Sequence, residues 1–343
     1  MQEHKQCLLS SRNLLPVEEK NKHCEELIHD APVPDLNPDP ASIINLIKNK
    51  KSVSVHCSPW KPLGMFGLMN IAICLSVTVV TLGDIRLALI ALALGIIGPF
   101  VTLFLSKFMA KHSFGIKVID PKKFKDENEE KLYGIVEALA LKSGLKSTPE
   151  VGTYTSPDMN AFATGHSQSS SLVAFSSALT EKMDEEAIAA VAAHEIAHIA
   201  NGDMLSMTVM ESVINTVVIL IDIGLFFVLD DEDDNFLAWI SKTIIRWIIT
   251  GIFMFLGNLL ALWFSRHREF KADKLAAELV SPGSMTKALN KLREDEHLVL
   301  PDNIAHAQQS YAAFKISSAT AALDIFSTHP ALERRIERLQ QQH

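Results

Sequence analysis

Asp184-Glu185-Glu186-Ala187-Ile188-Ala189-Ala190-Val191-Ala192-Ala193-His194-Glu195-Ile196-Ala197-His198 decides the reading of this 343-residue chain. The alanine-rich run is a strong helix former. Asp184 supplies a carboxylate N-cap, and Glu185 and Glu186 sit at the positive end of the helix dipole. Positions four apart lie one turn apart on one helix face, so His194 and His198 can present two imidazoles to one cation. Glu195 falls on the adjacent flank, within reach of a metal-bound water without being a ligand. A zinc ion held there would lower the pKa of that water, whose proton Glu195 takes as general base. A pattern this short also arises by chance around two satisfied histidines, so the reading requires a third ligand.

The third ligand has a candidate downstream. A catalytic zinc keeps three protein ligands and one open position. Ser265-Arg266-His267-Arg268-Glu269-Phe270-Lys271-Ala272-Asp273 reads as the opening of a new helical segment. Glu269 and Asp273 are again four apart. A ligating Glu269 with an Asp273 that accepts a hydrogen bond from a ligand histidine completes such a site. An exposed, charged face beside a membrane reads the same way in isolation. Asp203, five residues after His198, is a weaker candidate for the same supporting role.

Long apolar runs surround these motifs. Met65 to Leu82 and Leu87 to Leu105 contain no charged residue, and only Gly83-Asp84-Ile85-Arg86 separates them. Each run corresponds to about 27 Å of helix, close to the hydrocarbon thickness of a bilayer. A soluble helix pair apolar on every side has no solvent face, so a transmembrane hairpin is expected. Val213 to Leu229, interrupted by Asn215 and Asp222, and Trp247 to Phe264 form a second pair around the acidic cluster Asp230-Asp231-Glu232-Asp233-Asp234. Glu211 and Asp222 are costly in lipid and must face protein or a wet cavity. Lys61 precedes the first pair, Lys107, Lys111, Lys117, Lys122 and Lys123 follow it, and Arg266 and Arg268 follow the second. This excess of basic residues places the termini and the central region in the cytoplasm. Lys242 and Arg246 weaken that rule without reversing it.

Between the pairs, residues 113–203 read as a soluble α+β unit. Asp126 to Gly144 has helical spacing, and Ser171-Leu172-Val173-Ala174-Phe175-Ser176 reads as a strand. Residues 1–60 form a polar extension, and four prolines between Ala31 and Pro40 favour an extended linker there. No apolar stretch near Met1 marks a cleavable signal peptide. His4, His23, Cys24 and His29 fit no ligand spacing. Cys7, Cys24, Cys57 and Cys74 are widely separated, which excludes a disulfide framework and suits a reducing compartment. The net charge of -8 and the lack of a basic stripe argue against nucleic acid as a partner.

Taken together, these segments resemble the HtpX family of membrane-bound zinc endopeptidases, related to the CAAX prenyl proteases. The matching stretches are Asn160-Ala161-Phe162-Ala163-Thr164-Gly165, then His194 to Asp203, Ser265 to Asp273, and Thr328-His329-Pro330 with Arg335-Ile336. They follow the family's order, from about residue 65 to the carboxyl terminus. The resemblance implies one Zn2+ per chain, held by His194, His198 and Glu269, with Glu195 as general base. It also implies His329 near the metal, donating to the oxyanion of the tetrahedral intermediate. Asn160 would hold a substrate backbone, and the strand Leu172 to Phe175 would be an edge that receives an extended peptide. From the residues alone, His329 reads equally as a helix-start feature and Asn160 as a turn residue. The sixty-residue extension departs from the family, whose members begin almost directly with the first spanning run.

The expected fold is α+β and mainly helical. It is a gluzincin-like metalloprotease domain with four transmembrane helices in two hairpins and a small β-sheet. Residues 1–60 form the extension, 61–112 the first hairpin, and 113–343 the protease domain with a second hairpin at about 205–264. By resemblance, the substrates are membrane or misfolded polypeptides, cleaved at the cytoplasmic face of a bacterial inner membrane in quality control and stress response. Alternatives are a dedicated processing protease, a catalytically silent membrane scaffold, and a transporter, to which four spans without an internal repeat give little support. Oligomeric state is not encoded in any of these features.

Overall fold

Asp184 accepts a hydrogen bond from the Ala187 amide at 2.9 Å, the cap that its sequence position predicts. It opens one of the helices in the computed structural model, which describes residues 40–50, 52–53, 85–229, 236–298 and 330–341. In chain order these form α1 (Pro40–Asn49), α2 (Ile85–Ser113), β1 (Lys117–Val118), α3 (Glu127–Lys142), β2 (Glu150–Tyr154), β3 (Ala161–Ser167) and β4 (Ser170–Ser176). Then come α4 (Ser177–Lys182), α5 (Glu185–Asn201), α6 (Asp203–Leu229), α7 (Phe236–Leu279), α8 (Pro282–Leu298) and α9 (Leu332–Gln340).

The motif helix α5 runs through the core. Every residue from Ala187 to Asn201 is buried, and α5 packs on α3, α7, α8 and β3. Its alanines permit this, since a helix with small side chains on all sides admits close neighbours on each of them. Gly202 ends α5 in the left-handed conformation (φ 70°), its amide donating to the carbonyls of His198 and Ile199. This is the glycine cap that reverses a chain most readily. It places Asp203, the first residue of α6, back beside His198.

The sheet has the order β1-β2-β4-β3. β2 and β4 pair in parallel, and β3 and β4 antiparallel. β4 is therefore interior, with Leu172, Val173, Ala174 and Phe175 all fully buried. This corrects the expectation that Leu172 to Phe175 form an edge. A continuous apolar run marks a strand covered on both faces. Val173 and Phe175 enter the core shared with α3 and α5, while Leu172 and Ala174 meet Phe162, Tyr154 and Ala110 near the end of α2. The edge beside α5 is β3. Near its end a bulge lies between Gly165 and Ser167. Gly165 has φ +132°, and a Cβ there would stand 2.2 Å from the Ser170 carbonyl oxygen, so only glycine fits.

Among the described residues, Asp203–Phe226 and Phe236–Leu279 are long and apolar enough to cross a membrane. Only 28% and 6% of their most apolar windows are buried, unlike core helices of a soluble protein. Of the four expected spans, two are found among the described residues. The first run, 65–82, lies outside the described residues, and the second lies within α2. Ser265 does not open a new helix. α7 is one helix of 44 residues, about 66 Å at 1.5 Å per residue, and the change from apolar to charged sequence is a change of surroundings along it. Asp222 of α6 pairs with Arg246 of α7 at 3.4 Å and accepts from Thr250 at 3.3 Å, so this acid meets protein, as its cost in lipid demands.

Residues 40–49, within the polar extension, form α1. Pro40 occupies its first position, where a missing N–H costs nothing, and Ile43 and Ile47 join the core. Ile44 would meet a side chain at position 134 at 3.1 Å, so Gly134 lets α1 and α3 approach.

Candidate metal centre

Two helices bring the predicted residues together. α5 supplies His194, Glu195 and His198, and α7 supplies Glu269 and Asp273; all five are buried. The Nε2 atoms of His194 and His198 are 3.1 Å apart. Each lies 3.3 Å from a different oxygen of Glu269. One ligand atom from each of the three residues lies within 4.8 Å of the others. The two ring planes are nearly perpendicular, at 85°.

The outer nitrogens are also held. His198 Nδ1 meets Asp203 Oδ2 at 2.6 Å, and His194 Nδ1 meets Asp273 Oδ1 at 3.0 Å. A carboxylate on Nδ1 keeps the proton there and turns the Nε2 lone pair outward. Two lone pairs then face each other beside a third carboxylate, an arrangement that repels unless a cation lies between them. Tetrahedral zinc at 2.0–2.1 Å from two nitrogens would hold them roughly 3.3 Å apart, close to the separation found. Asp203 and Asp273, both weighed for a supporting role, each meet the Nδ1 atom of one histidine.

Charge leads to the same conclusion. Glu195, Asp203, Glu269 and Asp273 are four buried carboxylates, against the buried guanidinium of Arg335. Arg268, less buried, comes to 3.6 Å from Glu269. The excess of two negative charges matches a divalent cation. The same carboxylates act on the two histidines. Burial opposes the charge on His198, but Glu269 and Asp203 outweigh burial and push its pKa up to about 10. His194 is raised too: burial and Arg335 oppose its charge, and Asp273 and Glu269 override them. The donor set therefore fits zinc.

Arg335 is a further member of the centre. It lies on α9, fully buried, and grips Asp273 with two bonds, Nε to Oδ2 at 2.8 Å and Nη2 to Oδ1 at 2.6 Å. Burial disfavours its charge, but Asp273 more than compensates and raises its pKa. Arg335 thus holds Asp273, which holds His194. Its signal is present in the sequence: Leu332, Arg335, Ile336 and Leu339 share the buried face of α9, so an arginine interrupts an apolar stripe. Glu195 is within electrostatic reach of both Arg335 and Tyr154. Tyr154 accepts a hydrogen bond from Asn160 Nδ2 at 3.0 Å, and burial pushes its pKa up to about 12. His329 lies outside the described residues.

Comparison with known proteins follows the same lines. The family described as Peptidase family M48 matches residues 126–343. A Protease HtpX homolog of Bacillus subtilis is 40% identical over 260 residues, 74% of this chain and 84% of the relative. Protease HtpX of Tolumonas auensis is 39% identical over 267 residues, 76% of this chain and 88% of the relative. The crystal structure of S. mikatae Ste24p superposes with a TM-score of 0.52 at 17% identity, covering 80% of this chain. This chain spans 62% of that structure, and the likeness is one of fold.

Proposed function

Because the chain belongs to peptidase family M48 and is a metalloendopeptidase, we propose that it is a zinc-dependent protease of the membrane. In this reading it cleaves misfolded or membrane polypeptides at the cytoplasmic face of a bacterial inner membrane, in quality control. His194, His198 and Glu269 would hold one zinc ion. When bound, that ion supplies an acidified water and polarises the scissile carbonyl. Glu195, beside the ligands but not among them, takes the proton and later delivers it to the leaving amine. His329 donates to the developing oxyanion. The extended substrate pairs with β3, the sheet edge that packs beside α5, with Asn160 at its head.

The observation that carries the metal assignment is the pair of imidazoles whose Nδ1 atoms are held by carboxylates while both Nε2 atoms point at Glu269. Support for the membrane comes from the exposed apolar surface of α7, including Trp247, Ile252, Leu256 and Trp263. The basic residues beyond the apolar runs support the orientation.

The purified chain is expected to contain one zinc per molecule by elemental analysis. It should lose casein cleavage to a chelator and regain it with zinc. A protein without zinc, or cleavage indifferent to its removal, would overturn the assignment. A reporter fused after His343 should register the cytoplasm, and a periplasmic signal would reverse the orientation. Asp203→Asn is expected to weaken zinc binding by about 10- to 100-fold, because it removes the carboxylate that fixes the His198 tautomer. Competition with a coloured chelator measures this, and unchanged affinity would remove Asp203 from the site.

A further inference from the structure

We propose that Gln168 is a positioning residue, a latch that ties the tip of the edge hairpin to the last turn of the metal-binding helix. It thereby fixes the spacing between β3 and the metal. The proposal rests on the reading of β3 as the strand that receives substrate.

Gln168 and Ser169 form the turn between β3 and β4. The Gln168 side chain leaves the sheet, and its Nε2 donates to the Ala200 carbonyl oxygen at 3.0 Å, across 32 residues of sequence. Ala200 lies two residues after His198. The last carbonyls of a helix have no amide of their own to accept from. In α5 those of His198 and Ile199 are met by the Gly202 amide, and that of Ala200 by the hairpin.

The tip is built rigidly around this side chain. The Ser170 amide donates to Ser167 Oγ at 3.2 Å, and Ser171 Oγ donates to the Gln168 carbonyl at 3.0 Å. Just below, Gly165 leaves no room for a side chain against the Ser170 carbonyl. At the other end of β3 the Asn160 amide donates to Ser176 Oγ at 3.0 Å, and the Ser176 amide to the Asn160 carbonyl at 2.9 Å. The edge strand is thus anchored within the sheet at its head. At its tip it is anchored to the helix that carries the metal-binding histidines. A peptide paired along β3 would lie in register with the metal only while both anchors hold.

The test compares Gln168→Ala, Gln168→Glu and Gln168→Lys in the full chain in detergent. The glutamate has the same length but cannot donate, whereas the lysine keeps a donor. Losing one neutral hydrogen bond of this kind corresponds to roughly a fivefold change in an equilibrium. For a peptide of ten residues KM should rise about fivefold in Ala and Glu, with kcat little changed, and return towards wild type in Lys. A four-residue peptide, too short to span the strand, should show no such rise. Zinc content should be equal in all four proteins. Hydrogen exchange, which does not require cleavage, should quicken across Ala163–Ser171 in Ala and Glu and stay unchanged across Ala187–Ala197. Unaltered exchange at the tip, a lysine variant that behaves like alanine, or a KM rise equal for both peptides would each overturn the latch. Failure of the wild-type chain to bind zinc or to cleave would instead overturn the function proposed above, and exchange at the tip would still decide the latch.

Discussion

Glu195→Gln is expected to lower cleavage by roughly 10²- to 10⁴-fold, the range associated with loss of a positioned general base, and to leave zinc content unchanged. The substitution keeps the shape of the side chain and removes only its ability to take a proton. The site tolerates it because the amide fills the same buried space. Thermal stability of the zinc-free chain should hold or rise slightly, since a neutral amide there relieves repulsion among the buried carboxylates. Elemental analysis beside a casein assay checks both halves. Cleavage within tenfold of wild type would remove Glu195 from the chemistry, and loss of zinc would make it part of the ligand set.

The second large effect belongs to Arg335. Arg335→Met leaves Asp273 buried without its two-pronged partner, and breaking one side of a buried ion pair costs about 3–5 kcal/mol. A domain is stable by about 5–15 kcal/mol in all, so a large fall in melting temperature is expected. Zinc should bind more weakly as well, because Asp273 then no longer holds the His194 ring. The double variant Arg335→Met, Asp273→Leu removes both charges and should recover much of the stability. It should not recover zinc affinity, since His194 Nδ1 still lacks an acceptor. If zinc affinity returns along with stability, Arg335 supports the fold alone and does not orient the ligand.

Much of the centre is legible in the sequence because its residues come from two helices at helical spacing. His194 with His198, and Glu269 with Asp273, each read as one face of one helix before any tertiary information. Features set by contact between distant elements are harder to read. The interior place of β4 depends on a crossover from β2 to β4 that brings β3 to the outside. Strands of five to seven residues do not announce their neighbours. Ser265 looks like a boundary because charge appears there, yet helical hydrogen bonding is indifferent to whether a side chain meets lipid or protein. Pro40 reads as the last proline of a linker, although its position suits the first turn of a helix equally well. Arg335, unlike Arg334 and Arg338, falls on the apolar stripe of Leu332, Ile336 and Leu339, so the sequence marks it as turned inward. Only the packing of α9 shows that it meets Asp273.

In the membrane reading proposed above, the unbroken length of α7 makes it a depth gauge. Glu269 follows Phe264, the end of the apolar run, by five residues, about 7.5 Å further along the same axis. No joint lies between them to absorb a change. A protease built this way would cut at a set height above the bilayer surface. A polypeptide still helical where it leaves the lipid has no extended backbone to offer at that height, whereas one whose emerging segment has unravelled does. Selection between folded and damaged membrane proteins would then need no recognition of sequence. It would follow from how far a loosened strand can stand off the membrane. Inserting one residue between Phe264 and Glu269 would move the ligand by a single helical step and turn it by about 100°, which takes Glu269 away from the two histidines.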